Sequence, residues 1–442
     1  MEKFCIKFFK FKELKTNMRT ELTASLTTFL LMAYIIFLNP LILSGEFAGP
    51  EKGFFDFNFV FVATIISSAI ACFIMGFWAQ QPVALSSGMG LNSFCSFYIC
   101  AQLGFTPEEC LGAILVSGIL FVILSASPIR KYLVNAVPMS LKNGISAGIG
   151  AFLFVIGLSI MQIITDHPVT LVQLGDLTSP IVMLACATLI FIVVLQKLNL
   201  GWFSRASIII GIILFSIIAW VSGLAKFNGV FGTVPEMGYF LAFDFGAIMT
   251  ASGATAVFSL FFVDVLDTQS TLTAIAKETG RIDRKGNIKN IDRALMADSV
   301  GTVVGGLTGT SNITSYIESA GGVSVGGRSG LVAVGCGVLF LACLFISPLA
   351  TSIPAPIDGA CLVVISAMFM KNLKDLNWKD ISEYLPATIA CLAMPLTYSI
   401  SAGLALGFLS YSLIKIFTGQ ASKVSAAVYI ISIASVLYFA VK

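Results

Sequence analysis

The sequence predicts an all-α protein that crosses a membrane about fourteen times, built as two seven-helix halves of opposite orientation around two glycine-broken segments. Three observations carry this expectation: the composition, the spacing of the apolar runs and a likeness between the halves. The chain has 442 residues, of which 57% are hydrophobic and 11% charged, with a mean hydropathy of +0.94. Soluble domains carry roughly 25% charged residues, so a soluble globular chain is excluded. At about 20 apolar residues per spanning helix the length admits roughly 12 to 15 spans, and a single integral-membrane domain over residues 1–442 follows.

The apolar stretches run 22–44, 57–79, 83–103, 107–126, 139–163, 180–196 and 206–223, then 246–277, 294–307, 312–325, 330–350, 356–371, 381–398 and 401–418. The tail 424–440 is long enough for a fifteenth span or an interfacial helix. Lys3, Lys7, Lys10, Lys12, Lys15 and Arg19 crowd the start with no apolar core or cleavage site after them, which predicts a cytoplasmic tail and not a signal peptide. From an inside start, Arg130, Lys131, Lys197 and Arg205 fall on cytoplasmic connections, as does the basic loop Lys277, Arg281, Arg284, Lys285, Lys289 and Arg293. Glu46, Glu51, Glu108, Glu109, Asp166 and Asp176 fall outside. Thr106, Pro107 and Glu109 have the spacing of a capping box at the start of the fourth span.

The first repeat covers 20–224 and the second 245–419. Residues 205–223 overlay 401–419 without a gap, matching Gly211 with Gly407, Ser216 with Ser412 and Gly223 with Gly419. Seven is odd, so the second copy enters from the opposite side, the inverted repeat of alternating-access secondary transporters. In such folds the site lies near the midplane, where broken helices expose backbone and half-helix ends. The third segment (Ser86, Ser87, Gly88, Gly90, then Asn92) and the tenth (Gly305, Gly306, Gly309, then Glu318) fit. Gly144 to Gly148 and Gly403 to Gly407 have the G-x-x-x-G spacing of close helix packing.

Ionisable groups inside spans narrow the site further, because each costs about 2.5 to 3.5 kcal/mol on insertion scales and normally faces a cavity or a partner. Asp264, Asp267, Asp298 and Glu318 are the four. Asp264 and Asp267 share a helix face with Thr268 and Thr271 close by. Asp298, near the inner end of the ninth span, fits a cap, a solvated position or a part in proton coupling. Glu318, beside Tyr316 about two turns beyond the glycine break, is expected to bind substrate. The ten cysteines are scattered without a metal-ligand or disulfide pattern, His167 sits in a polar connection, and no cofactor or metal is expected. The stretch G-x-x-x-x-G-K-[ST] does not occur, so ATP has no binding loop here. A membrane enzyme using Asp264 and Asp267 as an acid pair would need a nucleophile, metal or cofactor motif that the sequence lacks. Nothing points to nucleic acid.

At these residues the chain resembles a family. FFVDVLDTQSTL, GTSNITSYIESAGGVSVGGRSG, LSSGMGLNSF and TASLTTFLLMAYIIFLNP are similar to the motifs of the nucleobase cation symporter family NCS2, in its AzgA-like purine permease branch. The resemblance runs to MPLTYSISAGLALGF. It implies a core domain of spans 1–4 and 8–11 moving against a gate domain of spans 5–7 and 12–14 in the cell membrane, and proton-coupled uptake of hypoxanthine, guanine or adenine. It further implies that Asp264 and Glu318 bind the base, that Asn92 shapes the site and that Asp267 supports coupling. Thr268 stands where the uracil branch has a histidine, which favours purines. Phe94 or Tyr316 would offer a flat apolar face to the ring. A xanthine or uracil permease and an anion transporter of the same general fold are the alternatives, and a homodimer is compatible with the sequence.

Overall fold

The computed structural model describes residues 6–45, 54–127, 136–281 and 290–441. Lys3, Glu46, Glu51, Arg130, Lys131, Arg284, Lys285 and Lys289 lie outside the described residues.

The first half contains α1 (Met18–Ser44), α2 (Phe57–Ala79), a strand β1 (Leu85–Ser87) leading into the short α3 (Met89–Ser93) with its π-helical continuation Phe94–Cys100, α4 (Pro107–Ala126), α5 (Met139–Ile160), a hairpin of β2 (Ile164–His167) and β3 (Leu171–Leu174), α6 (Pro180–Lys197) and α7 (Ser207–Val221). The second contains α8 (Ala251–Glu278), α9 (Ile291–Thr308), a strand β4 (Ile313–Ser315) leading into α10 (Ser319–Ser324), α11 (Leu331–Ala350), α12 (Ala355–Asp375), α13 (Ile381–Thr397) and α14 (Ile400–Phe417). The tail forms α15 (Ala426–Val441), which packs on α14 and α8. Among the described residues, nine helices are long and apolar enough to cross a membrane on their own. The other five expected spans fall short for separate reasons. Segments three and ten are broken, α7 and α13 have 15 and 17 residues, and α9 carries Asp292, Arg293 and Asp298.

Local signals behave as their chemistry requires. The Thr106 hydroxyl accepts from Glu109 N at 3.2 Å while the Glu109 carboxylate accepts from Thr106 N at 2.9 Å, a complete capping box that satisfies two orphan donors of α4. His167 ends β2 and its Nδ1 accepts from Val169 N and Thr170 N, so the histidine shapes the hairpin turn. Buried Glu21 at the start of α1 accepts from Arg328 N at 2.9 Å and from Ser329 N and Oγ at 3.1 and 2.7 Å, tying α1 to the entry of α11. Arg281, just past α8, donates to the Arg328 carbonyl at 2.5 Å and to Gln81. Burial pulls its guanidinium below the usual value and Glu21 pulls the other way.

The packing is its own image when each helix of one half is exchanged for its counterpart in the other. α1 lies on α11 as α8 lies on α4; α2 on α11 as α9 on α4; α5 on α13 as α12 on α6; and α6 on α7 as α13 on α14. The pairs α2–α9 and α5–α12 map onto themselves. All of these pairs fall either within α1–α4 and α8–α11 or within α5–α7 and α12–α14. The glycines matched between the halves perform matched tasks. A Cβ on Gly211 would come 2.6 Å from Ile192 of α6, and one on Gly407 would come 2.7 Å from Ala390 of α13. Gly223 and Gly419 end their helices at φ of +73° and +71°, a conformation that disfavours any residue with a Cβ. Gly144, Gly148 and Gly403 are packed against α13 closely enough that a Cβ would meet Ala387 or Met394 within 2.7 Å.

A close approach of backbones in the first group joins α2 to the entry of α11. The last turns of α2, Ile74–Ala79, widen to π geometry, and a Cβ on Gly330 would stand 2.1 Å from the carbonyl oxygen of Gly76. Because the obstacle is backbone, Gly330→Ala is expected to cost about 1 to 3 kcal/mol through overpacking. A lowered Tm of the detergent-solubilised variant, read by fluorescence-detected size exclusion, checks this; an unchanged Tm contradicts the close approach.

Candidate functional site

The two broken segments meet. β1 pairs antiparallel with β4 in the register Leu85 to Ser315, Ser86 to Thr314 and Ser87 to Ile313. Two further backbone bonds extend the ladder, Gly88 N to Asn312 O at 2.9 Å and Tyr316 N to Ala84 O at 3.0 Å. Sequence reasoning expected half-helix ends facing each other with free N–H groups. The strands in front of those ends pair instead, since β-branched and small residues inside a membrane can satisfy their backbone only on each other.

Side chains of neighbouring helices hold this two-stranded sheet from behind. Asp298 of α9 accepts from Ser315 at 2.5 Å and from Thr268 of α8 at 2.6 Å, and Thr268 also reaches Thr314 at 3.0 Å. Asp264 of α8 accepts from Thr302 of α9 at 2.7 Å and from Asn312 at 3.0 Å through one oxygen, while its other oxygen is buried with no hydrogen-bond partner among the described residues. On the β1 side, Asn39 of α1 is the centre of a second cluster. Its amide donates to Thr64 at 2.7 Å and Thr310 at 2.8 Å, and its carbonyl accepts from Ser87 at 2.8 Å and Asn92 at 2.9 Å. All four hydrogen-bonding positions of a buried amide are filled.

In front of the sheet lies a cavity of about 300 Å³. One wall is Tyr34, Gly88, Asp267, Ser270, Thr271 and the run Thr314 to Glu318; the other is Ser146 of α5 with Ile365, Met368, Phe369, Lys371 and Asn372 of α12. Glu318, N-terminal to α10, accepts from the Tyr34 hydroxyl at 2.6 Å. The Tyr316 hydroxyl donates to the Ser87 carbonyl and so spans both strands. Asp267 has no hydrogen-bond partner among the described residues. Asn372 donates to Ser146 at 2.6 Å and joins the two elements of the far wall.

Of the residues singled out from sequence, Glu318, Asp267 and Tyr316 come together on this cavity. Asp264, Asp298, Thr268, Asn92 and Phe94 do not. The first three stand behind β4, where they grip its hydroxyls and the loop before it. Asn92 is bonded into the Asn39 cluster, and Phe94 is buried and stacks on Tyr98 with ring centroids 4.9 Å apart. Asp267 and Glu318 therefore share this cavity, whereas Asp264 does not line it. The spacing of three placed both aspartates on one helix face, but a strand absent from the sequence reading occupies the space in front of Asp264. Tyr34, Asn39 and Lys371 were missed. Asn39 had a signal in its position before Pro40 inside an apolar span, whereas Tyr34 and Lys371 stand far from the broken segments in sequence.

Half-helices joined by a midplane strand pair, with carboxylates in a cavity between two mirrored groups of helices, define a multi-pass membrane transporter of the inverted-repeat class. The chain belongs to the Permease family, whose profile matches residues 19–406, the same nucleobase cation symporter family that its motifs resemble. It is 42% identical to a putative permease of Methanocaldococcus jannaschii over 99% of this chain and 98% of that one. It is 36% identical to the adenine permease AdeP of Escherichia coli K12, over 97% and 94% of the two chains, and 37% identical to the guanine/hypoxanthine permease PbuO of Bacillus subtilis 168, over 96% and 98%. The transmembrane domain of the cyanobacterial bicarbonate transporter BicA superposes with a TM-score of 0.63 at 13% identity, over 88% of this chain and 97% of that one, a likeness of fold.

If Asn92 shapes the sheet and not the ligand, Asn92→Ala should act on stability. Removing it leaves a buried acceptor of Asn39 short of one donor, at a cost of about 1 to 3 kcal/mol. A lowered Tm with substrate affinity unchanged in the surviving protein is expected; the reverse pattern, wild-type Tm with lost affinity, returns Asn92 to the ligand.

Proposed function

We propose that this protein takes up purine nucleobases together with protons by alternating access. The observation that carries the reading is the pair of carboxylates, Asp267 and Glu318, facing one cavity between two packing groups of helices. The relatives named as adenine and guanine/hypoxanthine permeases support the substrate class. In this reading α1–α4 and α8–α11 form a core that carries the site, α5–α7 and α12–α14 form the gate against which it moves, and the N-terminus is cytoplasmic.

The cavity's volume is at the lower end for small-molecule sites, which suits a flat bicyclic base. Ring N–H groups of a purine are donors, and Glu318 is an acceptor whose orientation is fixed by Tyr34. Charge-assisted hydrogen bonds of this kind are roughly twice as strong as neutral ones. Ser270 supplies a hydroxyl for the carbonyl or ring nitrogens, and Tyr316 and Phe369 are aromatic faces on the same cavity. Asp267 is the coupling group in this assignment, because it faces the cavity without a fixed donor and can gain or lose a proton with little rearrangement. Asp264 and Asp298 position the strand. As a driving force, each pH unit is worth about 1.4 kcal/mol per proton and 100 mV adds about 2.3, so one proton per base allows accumulation of over about a hundredfold.

Glu318→Gln should abolish uptake of radiolabelled hypoxanthine with protein still in the membrane, and a panel of unlabelled bases competing against wild-type uptake should rank purines above uracil. Wild-type KM and rate in Glu318→Gln would remove the acid from the site, and uracil as the best competitor would overturn the substrate class.

For coupling, wild-type uptake should rise as external pH falls from about 7.5 to about 5.5 and collapse with a protonophore, an inward gradient of one unit being worth ~1.4 kcal/mol. Asp267→Asn should retain binding to purified protein but lose uphill accumulation. Undiminished accumulation in proteoliposomes without a proton gradient or voltage rules out symport.

A further inference from the structure

A fifth carboxylate lies inside a span and takes no part in the site above. Asp358 is in the first turn of α12, is 3% exposed, and has one carboxylate oxygen buried with no hydrogen-bond partner among the described residues. It lines a second cavity of about 430 Å³ together with Leu41 of α1, Asp56, Phe57 and Asn58 at the start of α2, and the connection Ala350 to Ala355 that links α11 to α12. This cavity and the Glu318 cavity lie towards opposite ends of α12. From Asp358 to Phe369 the helix rises about 16 Å, roughly half the thickness of a bilayer core. Both cavities separate the same two groups of helices.

Among the described residues, the surroundings of Asp358 contain no compensating cation. α7 presents Phe215 and Ala219 to this part of α12, α5 presents Gly157 and Ile160, α6 presents Ala185, and α1 presents Leu41. Among the described residues the titratable groups facing it are Asp56 at the rim of the cavity, which caps α2 through Phe59 N at 3.0 Å, and the Cys361 thiol one turn further along α12. The N-terminal dipole of α12 favours a negative charge near its first turn, but one carboxylate oxygen of Asp358 has no hydrogen-bond partner among the described residues. An unpaired carboxylate held this deep is costly as an anion and far less so as an acid.

We propose that Asp358 and its cavity form a second proton-binding site, at the end of the core–gate junction opposite the substrate cavity, and that closure of this junction requires Asp358 to be protonated. The step is one proton from water on that side binding one carboxylate oxygen, with no other bond made or broken. The neutral acid is buried when the junction shuts, and the proton leaves when water next reaches the group. Low pH on that side then favours the closed junction seen here. The proposal rests on the proton-symport reading and adds to it a gate residue separate from the coupling acid.

The test compares wild type, Asp358→Asn and Asp358→Glu in cells and proteoliposomes. Asparagine is neutral at every pH, so uptake by Asp358→Asn should keep only the response driven through Asp267 and rise at least about twofold less than wild type as external pH falls by about two units. Exchange of preloaded for external hypoxanthine at equal pH should persist. Asp358→Glu should keep the pH response with a shifted midpoint, and it serves if the asparagine variant fails to reach the membrane. A wild-type pH profile in Asp358→Asn, or a profile in Asp358→Glu superimposable on wild type, overturns the assignment while leaving symport intact. Wild-type uptake indifferent to both external pH and a protonophore overturns symport and the gate together.

Discussion

Everything at the centre of this protein depends on three residues of one half pairing with three of the other. The ladder of β1 and β4 is the only described place where the two broken segments bond backbone to backbone at a membrane's middle, and the free energy of leaving those groups unpaired there is several kcal/mol each. The strand pair therefore cannot open. It forms a rigid plate, and the helices that begin at its ends, α3 and α10, inherit their positions from it. Buried polar side chains back the plate on both sides: Asn39 with its four partners behind β1, and Asp264, Asp298, Thr268 and Thr302 behind β4. Every hydroxyl of β4 that faces these carboxylates is used to fix the strand. Carboxylates used in this way fix the location of Glu318 and Tyr316 through the strand that precedes them.

This arrangement divides the intramembrane acids by function. Those with hydroxyl partners, Asp264 and Asp298, belong to the plate. Asp267 and Glu318 face one cavity and Asp358 the other, and in the proposed cycle these are the acids that exchange a ligand or a proton. The distinction is made by what stands in front of each acid and not by its depth, since all five are inside helices or half-helices of the membrane domain.

Much of this was legible in the sequence. Apolar runs and breaks located the long helices to within a few residues, because a span is defined by a property each residue carries by itself. The capping box at Thr106, the helix-ending glycines at 223 and 419 and the close-packed glycines at 144, 148 and 403 were equally local. The broken segments and the importance of Glu318 were visible as glycine, small residues and an acid where a membrane tolerates neither. The pairing of β1 with β4 was not, since it joins residues more than 220 positions apart and Leu-Ser-Ser and Ile-Thr-Ser are too short to show alternation. With the strand pair hidden, nothing local showed that Asp267 lines the cavity while Asp264 does not, that Asn92 bonds to Asn39 or that Phe94 stacks on Tyr98. Asp358 did carry a signal, an acid inside an apolar run, but its place in the first turn of a helix made it resemble an ordinary terminal charge.

The register of the strand pair has a consequence for how the protein handles its cargo. Ser86 and Thr314 lie opposite each other at the centre of the ladder, so the pseudo-twofold axis passes between them and carries each residue of the first arm onto one of the second. Four residues beyond Thr314 stands Glu318; four beyond Ser86 stands Gly90, whose missing side chain leaves room for Ile149 of α5 at 2.6 Å from where a Cβ would be. A duplicated scaffold thus offers two equivalent arms and arms only one. The carboxylate of that arm stands off the axis, towards the second repeat. In the proposed cycle the symmetric scaffold supplies two equivalent end states, while the lone carboxylate keeps the cavity itself asymmetric.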